Sequence, residues 1–231
     1  MGAECLVRWT HKEHGIIYPD EFISVAERTG LINQLSRWVT DNALKQLIKW
    51  HKADLDMSVS VNLSARNLLD PELPDTISSL LASYKIPPEK IIFEITETAI
   101  MSDPNLALAI LSRINELGIM FSIDDFGTGY SSFAYLTKLP VCEIKIDKSF
   151  VMSMLTNETN YIIVYTTIEM AHNLGLKVVA EGVESEEILA ELELMGCDIA
   201  QGNLISKPIS LSQLDSWFAS SKWGGNIIKE L

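Results

Sequence analysis

The 231 residues carry 47% apolar and 21% charged side chains, an ordinary mixture for a globular chain with one sizeable core. No apolar run reaches the roughly 20 residues needed to cross a bilayer, so no membrane segment is expected, and the N-terminus lacks the basic-then-apolar pattern of a secretion signal. A formal net charge of −13 argues against DNA as a partner, because duplex binding replaces counterions with Lys and Arg, yet it leaves room for a small phosphorylated ligand bridged by divalent cations.

Short apolar, β-branched runs alternate with longer segments of helical period, which predicts a parallel α/β protein. In chain order the predicted strands are Glu4–Trp9, Met57–Leu63, Ile91–Thr96, Met120–Asp125, Glu143–Asp147, Lys177–Glu181 and Asp198–Gly202. The segment Asn105–Leu117 places Leu108, Leu111, Ile114 and Leu117 on one helical face. Asn160–Leu174 and Glu186–Met195 behave similarly and open with acidic or amide residues suited to a helix N-terminus. Seven strands is one short of a closed barrel. The expectation is a TIM-like (β/α) barrel lacking its first strand, with an open doubly wound sheet as the alternative. No Gly/Ser- or Pro-rich linker, repeat or low-complexity tract divides the sequence, so residues 1–231 read as a single domain. Cys5, Cys142 and Cys197 are odd in number, far apart and without a Cys-x-x-Cys pair; they suit buried thiols in a reducing, cytoplasmic compartment.

The polar residues within these strands carry the chemistry. Asn62, Glu94, Glu97, Asp124, Asp125, Asp147, Glu181 and Gln201 all fall late in a predicted strand or just beyond it, where parallel α/β folds build their sites. Oxygen ligands delivered from many segments suit Mg2+ or Mn2+, and two such ions can activate water against a phosphodiester. Each residue also has a plainer reading: Glu94 on a solvated edge strand, Asp124-Asp125 in a turn, Glu181 as a helix cap. Lys145 is flanked by Ile144 and Ile146 and points to the opposite face from both. A lone ammonium there needs carboxylate partners, of which Asp147, on the same face, is the expected one. Asp125-Phe126-Gly127 has no kinase catalytic loop before it, Gly127-Thr128-Gly129 lacks a P-loop lysine, and His11 and His14 lie in a solvated polar stretch.

Taken in order, the blocks Glu4-Cys5-Leu6-Val7-Arg8-Trp9, Ser60-Val61-Asn62-Leu63-Ser64, Phe93-Glu94-Ile95-Thr96-Glu97-Thr98, Asp124 to Ser132, Ile144-Lys145-Ile146-Asp147, Val179 to Glu184, and Gln201-Gly202 followed by Ser206-Lys207-Pro208 resemble the EAL-domain phosphodiesterases of bacterial cyclic di-GMP signalling. The resemblance implies hydrolysis of cyclic di-GMP to linear pGpG with two Mg2+ or Mn2+ ions and inhibition by Ca2+. By position, Glu4, Asn62, Glu94, Asp124 and Asp125 resemble metal ligands, and Glu181 a further ligand or base. Lys145 resembles the lysine that orients the attacking water, with Asp147 the acid beside it. Glu97 resembles the glutamate that holds the loop Phe126–Ser132. Leu6 and Arg8 resemble substrate contacts, the guanidinium suiting a phosphate, and Gln201 a polar residue of the rim. A homodimer through that loop and a neighbouring helix is implied, as are sensory or cyclase domains in a longer, sometimes membrane-attached parent.

Three positions depart from the family pattern. Cys5 stands where the family has alanine, Asn203 where an aromatic residue is frequent, and the family's strand upstream of the Glu4 run is not in the chain. A catalytically silent cyclic di-GMP receptor is the alternative function, but such a protein is expected to lack metal ligands, and every matched acidic position is filled. A metal-dependent barrel enzyme of another class has no use for the Asp124 to Ser132 block.

Overall fold

A computed structural model describes residues 1–128 and 136–224. The chain forms two compact units: one holds Met1–Ser122 with the short stretch ending at Pro140, and the other starts at Ile123 and continues from Val141.

In the first unit, β1 (Gly2–Glu4) is followed by an antiparallel hairpin of β2 (Trp9–His11) and β3 (Gly15–Ile17). The predicted strand Glu4–Trp9 therefore needs correction: Glu4 is the last residue of β1 and Trp9 the first of the hairpin. The reversal is built locally. Gly15 takes φ 73, and His11 Nδ1 accepts the N–H groups of Glu13 and His14 at 3.2 and 3.3 Å. Helix α1 (Pro19–Thr29) starts on a proline and ends at Gly30 with φ 78. Helix α2 (Ile32–Lys52) buries Ala43, Leu44, Leu47 and Trp50, and packs on β4 (Ser58–Leu63).

Strand β4 buries Val59, Val61 and Leu63 but leaves Ser58, Ser60 and Asn62 on the other face, the alternation a half-covered strand must show. After α3 (Leu73–Tyr84), β5 (Ile91–Thr96) continues the parallel sheet in the order β1-β4-β5. Phe93 and Phe121 are fully buried with ring centroids 6.2 Å apart, each contributing about 1.5–3 kcal/mol by burial. Thr96 and Asp103 cap α4 (Glu97–Met101) and α5 (Pro104–Asn115). Helix α5 buries Leu111 and Ile114 as predicted, with Ala107 and Ile110 beside them rather than Leu108 and Leu117.

The chain passes from one unit to the other within β6 (Met120–Phe126). The second unit contains β7 (Val141–Ile146), α6 (Lys148–Val151), α7 (Glu158–Asn173), β8 (Lys177–Ala180), α8 (Glu186–Leu194), β9 (Ile199–Ala200) and α9 (Leu211–Ser220). Asn157 and Ser185 cap α7 and α8, which match their predicted spans within two residues. Strands β7-β8-β9 are parallel and sequential. Sequential parallel strands with helical crossovers are the winding of a (β/α) barrel; among the described residues seven strands run in this order, as expected, and the reversal that marks a doubly wound sheet occurs in neither unit. Among the described residues no helix is long and apolar enough to cross a membrane. The three cysteines are free and half-buried.

Candidate active site

In the first unit the ends of three parallel strands gather predicted ligands. The register sets Glu4 opposite Ser60 and Asn62 opposite Glu94, and Asn62 Nδ2 donates to Glu4 Oε1 at 2.8 Å. Glu94 is 2% exposed, which removes the solvated-edge reading. Cys5, between these acids, reports their field: burial first, then the charges of Glu4 and Glu94, push its thiol up to about 11. Glu97 is buried at the start of α4, beyond the strand that carries Glu94. Leu6 and Arg8 are exposed. The Arg8 guanidinium donates to Val7 O at 2.8 Å and lies 6.0 Å from the Tyr18 ring centroid.

In the second unit four predicted residues form one cluster. Lys145 is 1% exposed; its Nζ lies 2.6 Å from Glu181 Oε1 and 3.4 Å from Asp124 Oδ1. One carboxylate oxygen from each of Asp124, Asp125 and Glu181 lies within 4.8 Å of the others. The expected Lys145–Asp147 pair is replaced by these two. Asp147 instead caps α6, accepting the Ser149 N–H at 2.9 Å and the Ser149 hydroxyl. The physical reason is register: β7 and β8 pair Ile146 with Ala180, so Glu181 emerges next to the end of β7.

Backbone conformation aims these groups. Asp125 sits at φ 53, a left-handed conformation that costs a non-glycine residue about 1–2 kcal/mol; it is held by its N–H to Asp124 Oδ1 at 3.0 Å and by Thr128 Oγ1 donating to its carbonyl at 2.8 Å. Behind Glu181, Gly182 takes φ 70 where a Cβ would meet Lys148 Cβ at 2.5 Å. Gln201 leaves β9 with its N–H on Ala180 O and its carbonyl accepting the Val183 N–H, at 2.9 and 3.0 Å. Asn203 Nδ2 then donates to Glu184 Oε1 at 2.9 Å, so the aromatic-to-Asn departure is used in tying the segments after β8 and β9 together.

Electrostatics set the chemistry. Burial, then the charges of Asp124 and Asp147, hold the Asp125 carboxyl above its ordinary value, and Lys145 and Lys148 only partly offset them. Lys148 was not singled out in the sequence, although its place directly after Asp147 was the available signal. Three carboxylates around one buried ammonium leave an excess of negative charge and hard oxygen donors. That donor set fits a hard divalent cation. Of the loop Phe126–Ser132, Phe126 is buried; from Gly129 onward the loop lies outside the described residues, so the holding role of Glu97 falls there too.

Comparison with known proteins gives a concordant picture. The sequence pattern of the EAL domain matches residues 1–208. The chain is 40% identical over 215 residues to the bifunctional diguanylate cyclase/cyclic di-GMP phosphodiesterase MucR of Pseudomonas aeruginosa, covering 93% of this chain and 31% of that protein. It is also 40% identical over 221 residues to the cyclic di-GMP phosphodiesterase NbdA of the same organism, covering 95% and 28%. The solved structure of the PaMucR phosphodiesterase in complex with c-di-GMP superposes with a TM-score of 0.88 at 40% identity, over 91% of this chain and 86% of that one. The chain thus spans about a third or less of the length of these curated relatives.

Proposed function

The chain belongs to the EAL domain family, and from that premise we propose that it hydrolyses one phosphodiester of cyclic di-GMP to linear pGpG with two Mg2+ or Mn2+ ions. The observation that carries the reading is the cluster of Asp124, Asp125 and Glu181 around the buried Lys145 ammonium. Acids drawn this close together repel one another unless cations compensate them.

The ligands assigned are Glu4, Asn62, Glu94, Asp124, Asp125 and Glu181. When bound, the ions supply a lowered pKa for the attacking water and neutralise phosphoryl charge. Lys145 Nζ, an ammonium with donors only, donates to that water and fixes its lone pair toward phosphorus. Glu181, already ion-paired with Lys145, accepts the proton the water gives up. Asp147 keeps the segment after β7 in place through α6, and Glu97 holds the loop after Asp125. Arg8 engages a ligand phosphate with Leu6 against the nucleotide, and Gln201 lines the rim. Calcium inhibits, because its larger and looser coordination shell does not fit closely spaced sites.

The protein acts in the cytoplasm as one domain, residues 1–231, of a longer chain bearing sensory or cyclase modules, a reading supported by the share of MucR and NbdA that it spans. It works as a homodimer through the loop after Asp125 and a neighbouring helix. Incubating the purified protein with cyclic di-GMP and Mg2+ or Mn2+, beside Glu4→Ala, and resolving products by chromatography tests the proposal. The expected result is pGpG from the unmutated protein alone. Tight binding without product means a receptor, and no binding overturns both readings.

A further inference from the structure

Asn62 is exposed at the end of β4, so packing does not fix its side chain. Its direction depends on its bond to Glu4 and on its backbone, which pairs with β5 through Asn62–Glu94 and Leu63–Ile95 and must be held by something else from Ser64 onward. The ladder gives no hold beyond Leu63, because β4 ends there and the next N–H, that of Ser64, has no strand partner.

That N–H goes to a side chain. Asn67, 0% exposed, accepts through Oδ1 from Ser64 N at 2.9 Å, from Ser64 Oγ at 3.1 Å and from Ser36 Oγ of α2 at 2.9 Å. Its Nδ2 donates to Asn33 Oδ1 at 2.9 Å, and Asn33 Nδ2 in turn donates to Asp70 Oδ2 at 2.7 Å. The backbone closes the same turn, with Asn67 N donating to Ser64 O at 3.0 Å. A fully buried amide costs free energy unless bonded, and a satisfied buried network specifies one geometry rather than several.

We propose that Asn67 is a positioning residue for Asn62: by clamping Ser64 to α2, it fixes the backbone that aims the Asn62 side chain at the metal. The inference rests on the proposed reading of Asn62 as a ligand, and its test separates the two. Outer-shell partners of metal ligands typically contribute about 10–100-fold in metal affinity or activity.

The measurements are calorimetric titration with Mn2+ alone, thermal unfolding without metal, and steady-state kinetics, all on the intact protein. Asn67→Ala is expected to weaken Mn2+ binding about tenfold and to lower kcat while KM for cyclic di-GMP stays within about twofold. Ser36→Ala removes one donor and is expected to shift Mn2+ affinity in the same direction by about threefold. It decides the matter if Asn67→Ala does not fold. Should these variants melt earlier yet bind Mn2+ with unchanged affinity, Asn67 is only part of the scaffold and the inference is overturned. Asn62→Ala is the control. If it too binds Mn2+ normally, the assignment of Asn62 as a ligand has failed, and the inference with it; if only Asn62→Ala loses Mn2+, the inference alone fails.

Discussion

Replacing Lys145 by methionine removes the ammonium and keeps most of the side-chain volume, so its effect reads the charge cluster rather than a cavity. At an effective dielectric of about 20, the contacts at 2.6 and 3.4 Å correspond to gross attractions of about 6 and 5 kcal/mol. Much of that offsets the desolvation of the buried ammonium. Breaking such a pair by deleting one partner costs about 3–5 kcal/mol, and the low end applies because the Asp124 and Glu181 side chains keep 14% and 17% of their exposure. The loss has a pH signature. Asp125, already raised by burial and by neighbouring acids, loses the offset of Lys145 and rises further. A carboxyl whose folded pKa exceeds its unfolded value contributes stability that is present below the unfolded pKa and lost as pH rises through the folded one. The deficit of Lys145→Met is therefore largest near neutrality and shrinks toward pH 4. Denaturant unfolding at pH 7.5 and pH 4.5, with and without Mn2+, is the assay. Mn2+ restores part of the neutral-pH deficit, whereas hydrolysis stays at least about 100-fold down because a charge-stabilising donor is gone. A variant as stable as the parent at pH 7.5 would refute the claim that the carboxylates depend on Lys145.

Other predictions rest on separate contacts. Gly202→Ala places a Cβ 2.2 Å from Val183 O, against backbone that cannot yield, and lowers unfolding stability by about 1–3 kcal/mol; unchanged denaturation would show that the segments after β8 and β9 can separate freely. Asp198 feels burial upward most strongly, but bonds from His172 and the Val178 amide, with the charges of His172 and Lys177, leave it lowered overall. Its contribution is present above the unfolded carboxyl value of about 3.9 and lost as pH falls through the folded one. Asp198→Ala thus costs about 1 kcal/mol at pH 7, after discounting for solvent screening of a side chain 34% exposed, and little near pH 3. Calcium alone supports no turnover and competes with Mn2+; equal rates in either ion would sink the two-metal reading.

The strand ends were legible because alternation and punctuation are local. Ile144 and Ile146 on either side of Lys145 fixed its face, and glycines directly after Glu181 and Gln201 marked where the chain must turn. Cys5–Trp9 misled because Leu6, Val7 and Trp9 have the composition of a strand, while the hairpin that takes Trp9 away is set by Gly15 six residues on. Pairings were less legible than positions. Asp147 has the right parity for Lys145, but parity says nothing of the β7–β8 register that delivers Glu181 or of the helix start that occupies Asp147. Asn67 gave no signal at all: its partners Ser36 and Asn33 lie 31 and 34 residues away, on a helix whose rotation no local pattern reveals.

The net charge of −13 and the phosphorylated ligand we propose are reconciled by where the acids sit. Exposed Asp and Glu on the helices are screened within a Debye length and decide little about binding. Asp124 and Asp125 on β6 and Glu181 just after β8 lie around a buried ammonium, and desolvation, then the charges of Asp124 and Asp147, already make Asp125 resist ionisation. A cation entering that cluster is worth more to the protein than the same cation at the surface. It relieves repulsion that the fold has already accepted and places positive charge among the acids. Acidity that would repel a phosphodiester in the metal-free protein is thereby the condition for binding one once divalent ions are in place.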